Sequence, residues 1–285
     1  MTAPVSMEYA PPPPELVDQI SALYSLRQNQ LHVEEIERAD RAQLRVWIQG
    51  RGEYHFPDGH VGAVFPVTIF GPTSGVIHGV GYGPLHVVGV GLQPAAWGTL
   101  MGPDAALWAD RTIDATTIFG DSATELHRAI SASDNTQQHF TLLCDFITTA
   151  ITAMNETAPT AFISIMEEWL IERVDPKVDV LVERLGLGMR QIERLSKRYY
   201  GLPPKTLARK YRALRVAAAM ARGDDLNELG LGDTFYDQSH LIRELKRFAG
   251  LTPQQIAQHQ SSLLVEVAQG LKGLEGQVSA IVSGA

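Results

Sequence analysis

Forty-three consecutive residues, Val61 to Pro103, contain no Lys, Arg, Asp or Glu. A run that long without charge belongs in a membrane or in a buried core. It holds ten glycines and five prolines, and no window of about 20 residues, the length a spanning helix needs, escapes them. Residues that break helices at this density favour a buried β-sheet over a lipid-embedded helix. LRVWIQ, GEYHF, HVGAVFPVTIF, GVIHGVGY and LHVVGVGL, between Leu44 and Leu92, are the candidate strands. Pro57-Asp58-Gly59 reads as a tight turn, because Pro presets φ and Gly accepts the left-handed conformation.

From Gln93 the pattern becomes helical. PAAWGTLMG comes first, then DSATELHRAIS with Asp121 or Ser122 as N-cap. QHFTLLCDFITTAITAM and PTAFISIMEEWLIERV follow as helices that pack or dimerise. Residues 1–14, ending in Pro11–Pro14, read as a flexible or polyproline lead-in, and the Gly-spaced tail QGLKGLEGQVSAIVSGA is expected to fray. A length of 285 residues suits about two domains. The start lacks a basic segment followed by an apolar core, and Cys144 is the single cysteine. A cytoplasmic protein without membrane association, disulfide framework or thiolate zinc cluster is the expectation.

The net charge of −8 hides an asymmetry. Residues 174–260 carry 15 Lys+Arg against 10 Asp+Glu, and 189–215 carry nine basic residues against Glu193 alone. A basic block inside an acidic chain points to an anionic partner for that block; a solvated helical face is the plainer alternative.

Two similar units occupy the block. Asp175-Pro176 supplies an N-cap and a Pro at the first helical position, and VDVLVERL runs to Gly186. After Gly186-Leu187-Gly188 comes MRQIERLSKRYYG, in which Ile192, Leu195 and Tyr199 share one side. Arg190, Arg194 and Lys197 take the opposite side, flanked by Gln191, Glu193 and Arg198. In YDQSHLIRELKRFAGLTP, Asp237 can cap a helix whose inner face holds Leu241, Leu245 and Phe248. Ser239, Arg243, Lys246 and Arg247 face outward, with His240 at the edge and Gln238 in the first turn. Gly250 and Pro253 end it. Between the units, PPKTLARKYRALRVAAAMARG reads as one rod.

LVERLGLGMRQIERLSKRYYGLPPKTLARKYRALRVA…FYDQSHLIRELKRFAGLTP resembles the DNA-binding domain of the AraC/XylS family of bacterial transcription regulators, over residues 174–260. The resemblance implies two recognition helices, held by a linker helix, entering successive major grooves on one DNA face. By position, Arg190, Glu193 and Arg194 in the first helix and Gln238, Ser239, His240 and Arg243 in the second would read bases. Lys197, Arg198, Lys246 and Arg247 would lie near phosphates. The implied partners are double-stranded DNA, RNA polymerase, and a small-molecule effector or a homodimer partner at the N-terminal domain. Ser196 stands where the family usually has a core aromatic, Val182 where it has alanine, and Thr234 where the second turn has glycine. Gly230 and Gly232 fall in the expected leading helix of the second unit, each costing about 1 kcal/mol relative to alanine. That helix is therefore expected to be marginal.

Residues 44–92 resemble, more weakly, the β-rich sensor domains of the family. The expected fold is α+β: a lead-in (1–43), a β-rich cupin-like regulatory domain (44–120), a helical connector (121–173), the all-α double helix-turn-helix domain (174–260) and a tail (261–285). The competing class is a cupin-like metalloenzyme with an accessory DNA-binding domain, using His55, His60, His78 and His86 with Glu53 or Asp58. Those histidines lack tight ligand spacing, no G-x-S-x-G elbow is present, and Pro84 with another strand follows GVGYGP where a dinucleotide site needs a helix. No metal, cofactor or catalytic residue is assigned, and Cys144 is read as an inert core thiol. A DNA-compacting architectural protein is the third class, and it predicts no sequence preference.

Overall fold

The charge-free run forms the middle of an antiparallel sheet. The computed structural model describes residues 5–102, 104–154, 158–231, 238–258 and 263–284. Strands β1 (Ser6–Ala10), β2 (Ile20–Gln28), β3 (His32–Glu37), β4 (Gln43–His55), β5 (Val61–Ala63), β6 (Val67–Phe70), β7 (Ile77–Leu92) and β8 (Thr112–Asp114) make one eight-stranded sheet. Its order is β1-β2-β7-β4-β6-β8, with β3 on β7 and β5 on β4. The long β7 pairs β3 along its first half and β2 along its second, while its other edge follows β4. Val46 opposite Val88 and Leu44 opposite Val90 are fully buried, so branched side chains meet across the central ladder.

Two sequence expectations change here. The lead-in expected over 1–43 instead contains three strands, whose apolar residues Ile20, Leu23 and Val33 are buried. Stretches such as HVEEIE, half-exposed and acidic, hide that period. The separate strands expected on either side of Gly50 and of Gly83-Pro84 are each one continuous strand, bulged near Gln49 in β4. The Pro57–Gly59 turn forms as expected: Gly59 has φ +84°, and its N–H donates to the Phe56 carbonyl at 3.0 Å.

Helices α1 (Pro94–Leu100), α2 (Ala105–Trp108), α3 (Thr116–Phe119), α4 (Asp121–Ser131) and α5 (Thr136–Thr152) follow the sheet. Trp97, Ile130, Leu143 and Ile147 of this group pack on Val46, Val88 and Val90, covering one sheet face. The N-cap of α4 is Gly120, not Asp121 or Ser122, and it offers no side-chain acceptor. Next come α6 (Thr160–Glu172), α7 (Val178–Leu185), α8 (Met189–Tyr200), α9 (Pro204–Arg222), α10 (Gln238–Phe248) and α11 (Pro253–Gln258). The tail does not fray: α12 (Leu263–Lys272) and α13 (Ala280–Ser283) bury Leu264, Ala268, Leu271, Ile281 and Val282. The helical pattern through Leu264 to Ala268 is expected from the sequence; Leu271 continues it at helical spacing, a continuation that Gly270 and Gly273 obscure. No helix among the described residues is long and apolar enough to cross a membrane.

One buried cation ties the helical half to the sheet. Lys210 of α9 is 2% exposed, and its Nζ donates to the carbonyls of Asp40 at 2.5 Å and Thr73 at 3.0 Å. Burial drives its pKa from the ordinary 10.5 down to about 7; Arg38 and Arg41 push the same way, against Asp40 and Asp110. An unfolded chain keeps that proton to about pH 10, so from pH 7 upward the folded form binds fewer protons and stability rises with pH. The Cys144 thiol, pushed up to about 11 by burial, works in the opposite direction, but only as the unfolded thiol begins to ionise near its ordinary 9.0. Between pH 7 and 8.5 unfolding stability should therefore climb by about 1–2 kcal/mol, and Lys210→Met should flatten the climb. Urea melts at the two pH values check this; identical slopes in both proteins would contradict it.

Candidate nucleic-acid interface

The first unit is built by burial on one side and a left-handed glycine between its helices. Leu181 of α7 and Ile192 of α8 are fully buried, and Gly186, at φ +62°, ends α7. Asp175 does not cap α7, which starts after Lys177; its carboxylate instead takes Lys177 and Arg212, each at 2.6 Å. Arg190, Gln191, Glu193, Arg194 and Lys197 are exposed along the outer side of α8. Ser196 is fully buried and its hydroxyl donates to the Leu202 carbonyl at 2.6 Å. The small residue thus satisfies the turn after the helix, where an aromatic would fill space.

Arg198 differs from its neighbours. It is half-buried over the Tyr199 ring, with Asp104 at 3.9 Å.

In the second unit Leu245 and Phe248 are fully buried, and Gln238, Ser239, Arg243, Lys246 and Arg247 of α10 are exposed. His240 is half-buried at the edge. Asp237, Thr234 and Gly232 lie outside the described residues. The leading helix expected before them is not formed over 226–230, which is a turn in which Gly230 has φ +66°. Gly230 therefore suits its place, and the helix-propensity penalty expected of it does not apply.

Four of the nine cations in 189–215 are spent inside the protein. Lys210 reaches the sheet, and Arg212 pairs with Asp175. Arg215 Nη2 donates to the Leu170 carbonyl at 3.1 Å. Arg209 grips Glu244 of α10 with Nε at 3.1 Å and Nη2 at 2.6 Å. Glu244 is 2% exposed, a buried acid in the middle of α10 that the sequence pattern did not single out. The pair fixes α10 on α9. The outward cations that remain in the block are Arg190, Arg194, Lys197 and Lys205.

The N-terminal half touches α8 and α10 at their C-terminal ends. Tyr199 packs on Gly98 of α1 and lies 6.3 Å from the Phe162 ring, while Gly201 abuts Pro72. At the end of α10 the Phe248 carbonyl accepts the Ala39 N–H at 2.7 Å, and the Arg247 carbonyl accepts the Val76 N–H at 3.0 Å. Arg247 borders a cleft with His55, Pro57 and His78.

The histidines do not converge. His55 bonds Glu53 at 2.9 Å and stands opposite His78, His60 stacks on Phe56, and His86 lies beside Ser25 and His139. Burial, Arg27 and His139 push His86 down to about 4. Among the described residues no group of three His, Cys, Asp or Glu could hold a metal.

Residues 181–259 match a family profile described as a helix-turn-helix domain, of the AraC type. No curated protein matches the chain. Among solved structures it is similar to the AraC-like transcriptional activator CuxR, at 13% identity and a TM-score of 0.33, over 79% of this chain and 90% of that one. It is also similar to an apo form of ToxT from Vibrio cholerae strain SCE256, at 9% identity and a TM-score of 0.45, over 81% of this chain and 98% of that one.

Arg209→Ala should destabilise the second unit by about 1–3 kcal/mol, toward the low end because the guanidinium is partly solvated. Adding Glu244→Gln to it should cost little more. Urea titration of both single variants and the double variant reads this, and additive losses would contradict the pairing.

Proposed function

We propose, from the AraC-type helix-turn-helix domain at residues 181–259, that this chain is a sequence-specific transcription regulator controlled through its N-terminal domain. The observation that carries the reading is the pair of helices with buried inner faces and exposed cationic outer ones. In the proposed complex Arg190, Glu193 and Arg194 of α8 face base edges in one major groove, and Gln238, Ser239, His240 and Arg243 of α10 in the next. Arg can bridge O6 and N7 of a single guanine, whereas Lys acts as a point charge. Lys197, Lys246 and Arg247 are assigned to phosphates. Arg198 is the weakest member of that set, since Asp104 competes for it.

Control through the N-terminal domain is supported by where that domain makes contact. Both recognition helices end against it, through Tyr199 and Gly201 in one unit and Phe248 in the other. A change in the sheet that moves residues 36–40 or 72–76 would shift α10 and the Lys210 seat together.

Fluorescence anisotropy with a selected site and with random duplex, over a range of salt, tests the roles. Arg194→Ala or Arg243→Ala should weaken the specific site by about 1–3 kcal/mol and relax preference at one base position. Lys197→Ala or Lys246→Ala should weaken all sequences alike and lower the salt slope by about 1. Equal losses on specific and random DNA for the arginine variants would contradict the base-reading assignment.

A further inference from the structure

Helix α10 completes its hydrogen-bond ladder with donors from another part of the chain. The last carbonyls of a helix have no partner within it and must find donors elsewhere. The Leu245 carbonyl is served locally, by the Ala249 and Gly250 N–H groups at 2.8 and 2.9 Å. The Arg247 and Phe248 carbonyls instead accept the Val76 N–H at 3.0 Å and the Ala39 N–H at 2.7 Å. The approach is close: a Cβ on Gly250 would stand 2.3 Å from Ile36 Cγ2.

The two donor segments are bonded to each other. The Asp40 N–H donates to Thr73 Oγ1 at 2.7 Å, and the Thr73 N–H donates to the Asp40 carbonyl at 3.1 Å. Their carbonyls also take Lys210 of α9, while Arg209, the residue before it, holds Glu244 of α10. The paired segments, α9 and α10 therefore form a closed circuit of bonds. A shift of the segments would move the end of α10 against its anchored middle.

The 72–76 segment is fixed by Asp110, which lies between α2 and β8 and is 8% exposed. Its Oδ1 accepts the Ser74 N–H at 2.8 Å, and its Oδ2 accepts the Ser74 hydroxyl at 2.6 Å. Its own N–H donates to the Pro72 carbonyl at 3.2 Å. Thr73, whose carbonyl takes Lys210, is thus tied on both sides. Asp110 has φ +57°, the one left-handed non-glycine among the described residues. Aspartate tolerates that conformation better than most side chains, and such a backbone persists where the surrounding bonds over-determine it. Here both side-chain bonds and the N–H bond go to one segment.

We propose that Asp110 is a positioning residue for α10: it holds the 72–76 segment, which together with Ala39 fixes the end of α10 and so sets which base Arg243 reaches. The proposal rests on the reading that α10 reads bases, and it adds to that reading a buried residue of the N-terminal half.

Two variants of the full chain test it. Asp110→Gly removes the carboxylate but adopts the same backbone without strain. Asp110→Asn keeps an acceptor for the Ser74 N–H and tolerates the same conformation. Hydrogen exchange is read by mass spectrometry, and base discrimination by fluorescence anisotropy on duplexes changed at one position. In Asp110→Gly, exchange should rise at least fivefold over 72–76 and 244–250 and stay unchanged over 189–200. Discrimination at the base position that Arg243→Ala relaxes should fall at least fivefold, while that at the Arg194→Ala position stays within twofold. Asp110→Asn should remain within twofold of the wild type at both. Unchanged exchange over 244–250, an equal rise over 189–200, equal losses at the two base positions, or an Asn variant as impaired as the Gly variant would each overturn the proposal. A wild type without base preference counts against the regulator reading; exchange confined to 72–76 and 244–250 in that protein's Gly variant still upholds the seat.

Discussion

The Lys210 amine, charged or neutral, needs hydrogen-bond acceptors in a protein interior, and it finds them in another part of the chain. The carbonyls of Asp40 and Thr73 lie on the segments that lead into β4 and out of β6. With those bonds made, α9 has one position relative to the sheet. The other contacts follow from it. Arg209 on the preceding residue holds Glu244 and so α10, while Arg212 one half-turn later holds Asp175 and so the start of the first unit. The linker is thus a distribution bar for cations, each of which secures a different element. Removing the amine while keeping the buried carbonyls would leave two acceptors unmatched, a penalty of about 1–3 kcal/mol each.

The helical units were legible because local signals decide them. Ile192 and Tyr199 recur on one side of α8, Gly201 and Gly250 stop the recognition helices at φ +77° and +83°, and exposed cations fill the opposite sides. The central strands were legible too, since the charge-free run leaves few alternatives. What escaped has a common cause: it depends on partners distant in sequence. Lys210, Arg209, Arg212 and Arg215 look like surface cations, but Asp40, Glu244, Asp175 and Leu170 receive them, up to 170 residues away. Strands β1 and β3 escaped because half of their faces remain solvated or acidic. The last turn of α12 and all of α13 escaped because Gly270, Gly273 and Gly276 mask Leu271, Ile281 and Val282.

The same distance effect shapes the candidate site. Sequence position groups Arg198 with Lys197, yet the fold turns it over Tyr199 toward Asp104, and only the tertiary arrangement shows this. Glu193 and Glu244 make the complementary case. Both are acids on the second helix of a unit; Glu193 is exposed, whereas Glu244 is buried and pairs with Arg209.

In the proposed complex α8 and α10 of one chain read DNA together. Selection of bound duplexes from a random pool by the full chain tests it most directly. The account predicts one bipartite motif, with two conserved blocks centred about 10–10.5 base pairs apart on the same face of the helix. A pool that stays random after selection, or a motif with a single block, would contradict it.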